Sequence, residues 1–249
     1  MGTATLRLHG DLTDFTRPAN GERPARVEPV SVTARFEGRP ALKDVIESAG
    51  VPHCEVDLVL DGREALLLEA PARDGVTLDV FPGGEGPEGA RLLPPLQEPA
   101  RFLLDGHLGR LASLLRMLGF DTAWERDADD AVLAARSAAE DRTLLTRDLG
   151  LLKRGVVRRG AFVRATAPMV QAAEVVTRFH LRSQARPFTR CIRCNGVLRA
   201  ISAEEAAPRV PPRVRELQRR YLECSECHGL YWPGTHHARM QRVVAELIG

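Results

Sequence analysis

The sequence has no long apolar run, few aromatic residues and almost no lysine. No run approaches the roughly 20 apolar residues of a membrane-spanning helix. The first residues, MGTATLRLHGD, lack the basic and then apolar pattern of an export signal. We therefore expect a cytoplasmic protein with no membrane partner, and thiols stay reduced in that compartment. The five cysteines are accordingly interpreted as metal ligands or core residues before disulfides.

Lysine occurs only at Lys43 and Lys153, so nearly all of the 35 basic residues are arginine. Because alanine and glycine are also abundant, a GC-rich genome explains this bias most simply. The distribution of charge is more informative. Residues 1–98 hold 10 basic and 17 acidic side chains, a net of −7, whereas residues 99–249 hold 25 and 16, a net of +9. A basic second half favours a polyanionic partner.

The first 82 residues have the pattern of a small mixed sheet with one helix. Alternating apolar and polar residues predict strands at 3–9, 30–36, 55–60, 65–69 and 76–81. A short helix is predicted from Pro40 to Gly50, and the polar, proline-rich residues 14–29 predict a loop or irregular hairpin. The order ββαβββ is that of an α+β β-grasp, ubiquitin-like domain over residues 1–82. Residues 83–99 are dense in glycine and proline and predict a linker.

From Arg101 onward, strands and helices alternate strictly. Strands are predicted at 101–104, 122–124, 143–146 and 161–164, and helices at 107–118, 130–139, 149–154 and 168–181. This alternation predicts an α/β domain over residues 100–185, with a parallel sheet between helices. The remaining residues, 186–249, contain turns and cysteines and close with a helix at 236–248.

Four of the cysteines form two C-x-x-C pairs, Cys191 with Cys194 and Cys224 with Cys227, and each pair is followed by glycine two residues later. This spacing predicts a tetrahedral four-thiolate zinc site, which is structural because it has no open coordination position. Four reduced core cysteines are the alternative. A redox pair is disfavoured because neither motif lies between a strand and a helix. Cys54 is interpreted as a core residue.

Carboxylates cluster where a parallel sheet presents its functional residues, at the carboxyl ends of the strands. Asp105 and Asp148 follow two strands directly, and Asp129 and Asp130 begin the helix between those strands. Converging carboxylates repel each other unless a divalent cation neutralises them, and Mg²⁺ or Mn²⁺ prefers such oxygen ligands. A bound cation of this kind supports phosphodiester hydrolysis. The alternative is that each aspartate only caps a helix.

Several longer motifs resemble a known family. FLLDGHLGRLASLLRMLGFDT, DDAVLAARSAAEDRTLLTRD, RCIRCNGVL, PPRV and CSECHGLYWPGTHHARM occur in this order between about residues 100 and 245. Together they resemble the mut-seven C-terminal RNase domain family, which pairs a PIN-like fold with a zinc ribbon. The segment VPHCEVDLVLDGREA resembles the ubiquitin-like domain often fused in front of it. The resemblance implies a PIN-like parallel sheet with a C-terminal zinc ribbon, preceded by a β-grasp domain.

The resemblance also implies site residues. It places a divalent metal at Asp105, Asp130 and Asp148, and Asp129 could exchange roles with Asp130. Asp121 belongs to a family motif, GFD, but begins a strand on the other side of the sheet. Asn195, beside the ribbon, is interpreted as structural. PIN-like sites often hold a fourth acid, and none is evident after Asp148.

These inferences predict a ribonuclease that uses Mg²⁺ or Mn²⁺ and whose ribbon and Arg-rich insert help to bind RNA. The arginines predicted to contact RNA are Arg110, Arg116, Arg147, Arg190 and Arg193; for Arg110 and Arg116 a solvated helix surface is the alternative. A non-catalytic RNA-binding or RNA-processing adaptor is the main rival. A sulfur-carrier role for the β-grasp domain is disfavoured because Gly83-Gly84 is followed by a second domain. Docking of another protein to the β-grasp domain is preferred, and the sequence does not specify the RNA or the oligomeric state.

Overall fold

The computed structural model describes residues 1–16 and 28–249, which form two compact units. The first unit comprises Met1–Pro95 and Asp148–Phe162, and the second comprises Leu96–Arg147 and Val163–Gly249. The predicted linker at 83–99 is therefore divided between the units. Because a compact unit need not fold independently, the predicted domain boundaries stay a prediction. Within the described residues, no helix has both the length and the apolar character needed to cross a membrane.

Residues 1–16 and 28–95 form a five-stranded mixed sheet with one α-helix. The elements are β1 Gly2–Leu8, β2 Val30–Phe36, α1 Leu42–Ser48, β3 Val56–Asp61, β4 Glu64–Ala65 and β5 Val76–Pro82. The strand order is β2-β1-β5-β3-β4, in which β1 and β5 are parallel and the other neighbours are antiparallel. The side chains of Leu6, Ile46 and Leu78 are among those that form the core. The predicted β-grasp fold is confirmed.

Two local predictions in this unit need correction. The strand predicted at 65–69 ends at Ala65, because the following residues turn toward α1. There the carbonyls of Leu68 and Ala70 accept the N–H groups of Lys43 and Leu42 at 2.9 Å each, which satisfies donors that the first turn of a helix leaves unpaired. The loop predicted at 14–29 begins within a 3-10 helix, Gly10–Thr16, and residues 17–27 lie outside the described part of the chain.

The elements that follow alternate as predicted. In chain order they are β6 Arg101–Leu104, α2 Gly109–Met117, β7 Asp121–Trp124, α3 Asp130–Ala139, β8 Thr143–Thr146, α4 Leu149–Leu152, β9 Gly160–Phe162 and α5 Pro168–Arg178. In the second unit, β6 lies between β7 and β8 and is parallel to both. Phe102, Leu103 and Leu104 of β6 are fully buried, as expected for a central strand covered on both faces. The predicted parallel sheet is confirmed.

The ribbon starts at the first cysteine pair, and a closing helix follows it. Their elements are β10 Leu198–Ile201, α6 Ala203–Ala206, α7 Pro212–Leu217, β11 Tyr221–Cys224, β12 Leu230–Tyr231 and α8 Thr235–Ile248. The three strands form an antiparallel sheet with β11 in the centre. The long insert between the two cysteine pairs therefore supplies β10, two short helices and most of β11.

The segment Asp148–Phe162 contacts α1 and residues 53–55 of the first unit. The thiol of Cys54 donates to the carbonyl of Leu152 at 3.3 Å. In a second bond, the segment supplies the donor: the ammonium group of Lys153 donates to the carbonyl of Glu47 at 2.7 Å. Cys54 is fully buried, as predicted for a core residue, and it also joins two parts of the chain 98 residues apart.

His53 and Glu55 add further bonds to the same segment. The two ring nitrogens of His53 lie 2.5 Å from Oε1 of Glu47 and 3.0 Å from the carbonyl oxygen of Val157. The fully buried carboxylate of Glu55 accepts the N–H group of Phe162. Backbone groups of the segment thus depend on polar side chains of the β-grasp domain.

We expect His53→Ala to loosen this segment, because the carbonyl of Val157 would lose its partner. A buried acceptor left unpaired costs about 1–3 kcal/mol. Hydrogen exchange of the backbone amides in residues 149–157 should become faster than in the wild type. His9→Ala is the matched control, since His9 follows β1 and pairs with Asp79 of β5 at 2.7 Å, away from this segment in sequence. Equal protection of residues 149–157 in both variants would contradict the role assigned to His53.

Candidate metal centre and carboxylate site

The two C-x-x-C motifs form turns with the same backbone hydrogen bonds. In the first turn, the N–H of Asn195 donates to the carbonyl of Cys191 at 2.9 Å, and the N–H of Cys191 donates to the carbonyl of Gly196 at 2.8 Å. The second turn repeats both bonds with Cys224, His228 and Gly229. A Cβ on Gly196 would lie 2.6 Å from Sγ of Cys224, so glycine allows the two turns to approach each other.

These turns bring four sulfur atoms together. All four Sγ atoms, from Cys191, Cys194, Cys224 and Cys227, lie within 4.8 Å of one another. Cys191 and Cys227 are 3.7 Å apart, and Cys194 and Cys224 are 3.4 Å apart. A tetrahedral site with metal–sulfur bonds of about 2.3 Å requires sulfur separations of about 3.8 Å. The four cysteines are therefore positioned to bind one metal ion, and the exposure of Cys194 and Cys227 argues against the alternative of four core thiols.

The environments of the thiols differ when no metal holds them. Burial raises the pKa of Cys191, but the hydroxyl of Tyr231 at 2.9 Å and the N–H groups of Cys194 and Arg193 lower it further, to about 6. Burial, together with the neighbouring thiols, raises the pKa of Cys194 to about 12. A bound metal cation lowers the pKa of every thiol that it binds, because it stabilises the thiolate. The raised pKa of Cys194 therefore does not prevent coordination.

Arg116 connects the first cysteine turn to the parallel sheet. Its side chain donates from Nε to the carbonyl of Thr122 and from Nη1 to the carbonyl of Arg193, each at 2.9 Å. Arg116 is 4% exposed. Burial lowers the pKa of its guanidinium, and the negative charge of Cys194 and Cys191 opposes that effect. The prediction that Arg116 contacts RNA is therefore corrected: its donors are buried and bind backbone carbonyls.

Asn195 and Asp121 make a second connection. The Asn195 side chain donates to Oδ1 of Asp121 at 2.7 Å and accepts the N–H of Thr122 at 2.9 Å. Arg142 donates to the same Oδ1 at 2.7 Å, and Arg190 lies 3.5 Å from Oδ2. Burial raises the pKa of Asp121, but the bonds from Arg142 and Asn195 lower it further, below its usual value. Asp121 and Asn195 are structural residues, and Arg190 is engaged with them.

Asp105 follows β6 at the carboxyl end of the sheet and is 7% exposed. Its Oδ1 accepts the N–H of His107 at 2.9 Å, which caps the turn Gly106–Leu108. Its Oδ2 accepts the hydroxyl of Thr146 and the N–H of Arg147, the latter at 3.3 Å. Within residues 1–16 and 28–249, no basic side chain forms an ion pair with this carboxylate. Asp105 is thus a cap and also a buried carboxylate without a cationic partner.

The other predicted acids lie at helix starts. Asp129 is exposed at the N-cap of α3 without a capping bond, and Asp130 is the half-exposed first residue of α3. Asp148 is exposed and caps α4, since its Oδ1 accepts the N–H groups of Gly150 and Leu151 at 2.6 and 3.2 Å. Asp105, Asp129 and Asp130 do not form a tight group in the described residues, where only the four cysteines do so.

The remaining predicted RNA contacts differ in availability. Nη1 of Arg147 donates to the carbonyls of three consecutive residues, Val163, Arg164 and Ala165, at 2.7–2.8 Å. The side chain of Arg147 therefore links the end of β8 to the backbone of residues 163–165. Arg110 and Arg193 are exposed, and their guanidinium groups have no protein partner in the described residues. These two arginines are the accessible members of the predicted set.

Sequence reasoning missed two side chains of these sites. The hydroxyl of Tyr231 is hydrogen-bonded to the sulfur of Cys191 at 2.9 Å, and Thr146 donates to Asp105. A weak signal existed for each. Tyr231 lies four residues after Cys227, and Thr146 is the last residue of its strand, directly before Arg147 and Asp148.

We expect Asn195→Gly to lower the free energy of unfolding by about 1–3 kcal/mol, because two partly buried hydrogen bonds lose their partner. Glycine keeps the left-handed backbone, at φ +74°, so the change isolates the side chain. His228→Gly is the matched control: His228 has φ +55° at the same place in the second turn, and its side chain is exposed. Denaturant unfolding of metal-loaded protein measures both. Equal losses in the two variants would refute the bridging role of Asn195.

Comparisons with known proteins identify the chain at the level of family. A family model described as the Mut7-C RNAse domain matches residues 100–244, and one described as Mut7-C ubiquitin matches residues 1–86. Neither the curated proteins nor the solved structures gave a match. The RNase-domain match covers more than half of the chain and includes the sheet, Asp105 and all four metal-site cysteines. The chain therefore belongs to the Mut7-C RNase domain family and carries the ubiquitin-like domain of that family in front.

Proposed function

We propose that this protein is a ribonuclease that uses Mg²⁺ or Mn²⁺ to hydrolyse RNA phosphodiesters at the carboxylate site around Asp105. The observation that carries the proposal is the buried carboxylate of Asp105, which has no basic partner among the described residues. A buried charge is costly unless it is paired or coordinates a metal. Hydrogen bonds from His107, Thr146 and Arg147 orient the carboxylate but leave its net charge without a counter-ion.

The donor set fits a hard divalent cation. Mg²⁺ keeps several water ligands and is commonly held by only one or two carboxylates, so Asp105 need not meet every other acid directly. When bound, the cation would lower the pKa of an attacking water and stabilise charge on the phosphate. The hydrogen bond from the hydroxyl of Thr146 fixes the position of Oδ2 of Asp105. The capping bonds to Oδ1 of Asp148 fix the rotamer of Asp148. Asp130, or Asp129 in its place, is the proposed further ligand.

RNA is the proposed partner because of the charge around the ribbon. Residues 149–249 carry 18 basic and 7 acidic side chains, a net of +11. The exposed guanidinium groups of Arg110 and Arg193 are available for phosphates. Binding through such contacts weakens steeply as salt increases. The proposed compartment is the cytoplasm, where cysteines stay reduced and available to metal.

The metal at the four cysteines is proposed to be zinc. Zinc favours tetrahedral sulfur coordination, and a closed four-thiolate site acts in folding rather than catalysis. Four thiolates around Zn²⁺ leave a net charge of −2, and the buried guanidinium of Arg116 offsets part of it. In this arrangement the zinc holds the two turns together, while Arg116 and Asn195 hold the first turn against the parallel sheet.

The ubiquitin-like domain is proposed to support the segment that begins with Asp148 rather than to act as a sulfur carrier. Side chains of Glu55, His53 and Cys54 bind backbone groups of that segment within the first unit. A carrier domain must present a free C-terminus, whereas this domain uses its polar side chains to hold another part of its own chain. Docking of a second protein to its remaining surface stays a prediction.

A non-catalytic RNA-binding adaptor is the second candidate. The observation in its favour is that Asp105, Asp129 and Asp130 do not form a tight ligand group. The two candidates share RNA binding, so only cleavage separates them.

We expect Asp105→Asn to lower Mn²⁺- or Mg²⁺-dependent cleavage of single-stranded RNA by at least about 100-fold, because a metal site contributes several kcal/mol to transition-state stabilisation. Asparagine keeps the size, but its amide nitrogen cannot replace an oxygen that accepts hydrogen bonds, and both oxygens of Asp105 do so. Cleavage is therefore compared well below the melting temperature of the variant. Asp121→Asn is the control: it removes a paired acid at the other end of the sheet, and it should lower stability while the folded protein still cleaves.

Two outcomes would contradict the ribonuclease proposal. If the wild type binds RNA but cleaves none with either cation, the adaptor is the better description. If Asp105→Asn cleaves as fast as the wild type, the activity belongs to another site.

For the ribbon, we expect one zinc per chain in purified protein, and loss of that zinc in Cys194→Ser. Because structural zinc contributes directly to folding free energy, this variant should also unfold at lower temperature. Cys54→Ser removes a thiol outside the cluster and should keep the zinc. Elemental analysis and thermal unfolding provide the measurements. Wild-type protein purified without zinc, or a fully stable Cys194→Ser, would exclude the structural role.

A further inference from the structure

We propose that the second unit binds one unstacked base of single-stranded RNA in a cavity between the ribbon sheet and α8. The cavity has a volume of about 210 Å³. This inference rests on RNA as the proposed partner, but it does not require that the RNA be cleaved. The cavity would bind a base, whereas the exposed guanidinium groups of Arg110 and Arg193 would bind only phosphates.

The floor of the cavity comes from the ribbon. Leu222 on β11 and Tyr231 on β12 are direct cross-strand neighbours, and both line the cavity together with Leu198 of β10. The hydroxyl of Tyr231 is held by Cys191 at 2.9 Å. The floor is therefore attached to the metal centre, and its shape depends on an intact ribbon.

Aromatic side chains form the walls. Phe188 and His237 lie with their ring centroids 4.7 Å apart, and Trp232 lines the cavity beside them. Single-stranded RNA is commonly recognised by stacking of unstacked bases on such rings. The volume is below the range of about 300–1,000 Å³ that pockets for drug-sized ligands occupy. A single planar ring system fits this space better than a larger ligand.

Two polar groups at the cavity suit a nucleotide. Arg220 is exposed and lines the cavity, and its guanidinium has no partner in the part of the chain that the structure describes. The indole N–H of Trp232 likewise donates to no protein acceptor there. Arg190, also in the lining, is already engaged with Asp121. Arg220 can thus reach a phosphate while Trp232 can donate to the edge of a base.

The positive charge beside the cavity favours RNA over an apolar peptide as its ligand. An apolar side chain would fill the cavity without using the guanidinium of Arg220. The Arg-rich insert between the cysteine pairs contains Arg213, Arg215, Arg219 and Arg220, and Arg220 of this insert lines the cavity. Stacking and cationic contacts together are typical of sites for single-stranded nucleic acid.

The test compares a short single-stranded RNA with an oligonucleotide of the same length that has ribose phosphates but no bases. Binding is measured without added Mg²⁺ or Mn²⁺, with zinc left in the ribbon. Loss of the stacking of one base commonly lowers affinity by about 5- to 150-fold. We therefore expect the abasic ligand to bind more weakly by a factor in this range. A 2-aminopurine in the RNA should also lose fluorescence on binding.

The cavity is tested by two variants and a matched control. Trp232→Leu should abolish most of the difference between the two ligands. Arg220→Gln should weaken binding of the base-containing RNA more than Arg213→Gln, which removes the same charge from the same insert but from outside the cavity lining. Retained zinc shows that each variant is folded, and if Trp232→Leu loses zinc, the comparison of the two arginine variants decides.

Equal binding of the abasic ligand by the wild type, or equal effects of Arg220→Gln and Arg213→Gln, would overturn the base-binding proposal. These results would leave the nuclease proposal standing, because phosphate contacts suffice to deliver RNA to Asp105. Conversely, a protein that cleaves nothing but discriminates between the two ligands would keep the cavity and lose the nuclease.

Discussion

The second unit depends on the paired carboxylate of Asp121. This side chain accepts bonds from Arg142, near β8, and from Asn195, in the first cysteine turn. Asn195 in turn accepts the N–H of Thr122, the residue after Asp121. One half-buried acid thus ties the sheet to the ribbon. Since its pKa is lowered in the fold, the stability that it contributes is present above its unfolded pKa and is lost as the pH falls through its folded pKa.

Asp105 provides a physical contrast with Asp121 because both acids lie at ends of neighbouring parallel strands. Asp121 stands at the start of β7 and faces three arginines, Arg101, Arg142 and Arg190. Asp105 follows the end of β6 and accepts only neutral donors. Family membership does not distinguish these two acids, whereas their surroundings do. A carboxylate with cationic partners stabilises the fold, and a buried one without them is suited to hold a cation from solution.

Two kinds of element were predicted best from the sequence. One is an apolar stretch with clear polar boundaries, and the other is a pair of cysteines at a fixed C-x-x-C spacing. The strands at 101–104 and 143–146 and the helix at 130–139 have the predicted bounds, because each apolar stretch is bounded by polar or turn residues. The two cysteine pairs meet because each tight turn has one dominant geometry. Sequence could not predict the buried position of Arg116 or the bonds of His53 and Cys54, since their partners are backbone carbonyls, which every residue has.

The net charge of the ubiquitin-like domain says less about its role than the bonds that its side chains make. A net of −7 suggests attraction to a basic surface, yet the bonds observed within the first unit are short and specific. They join Glu55, His53 and Cys54 to single backbone groups of the segment after Asp148. Diffuse charge would tolerate many orientations of that segment, whereas three directional bonds, to Leu152, Val157 and Phe162, permit few. Within the first unit, the ubiquitin-like domain therefore holds the conformation of the segment that begins with Asp148 through single directional bonds rather than through its net charge.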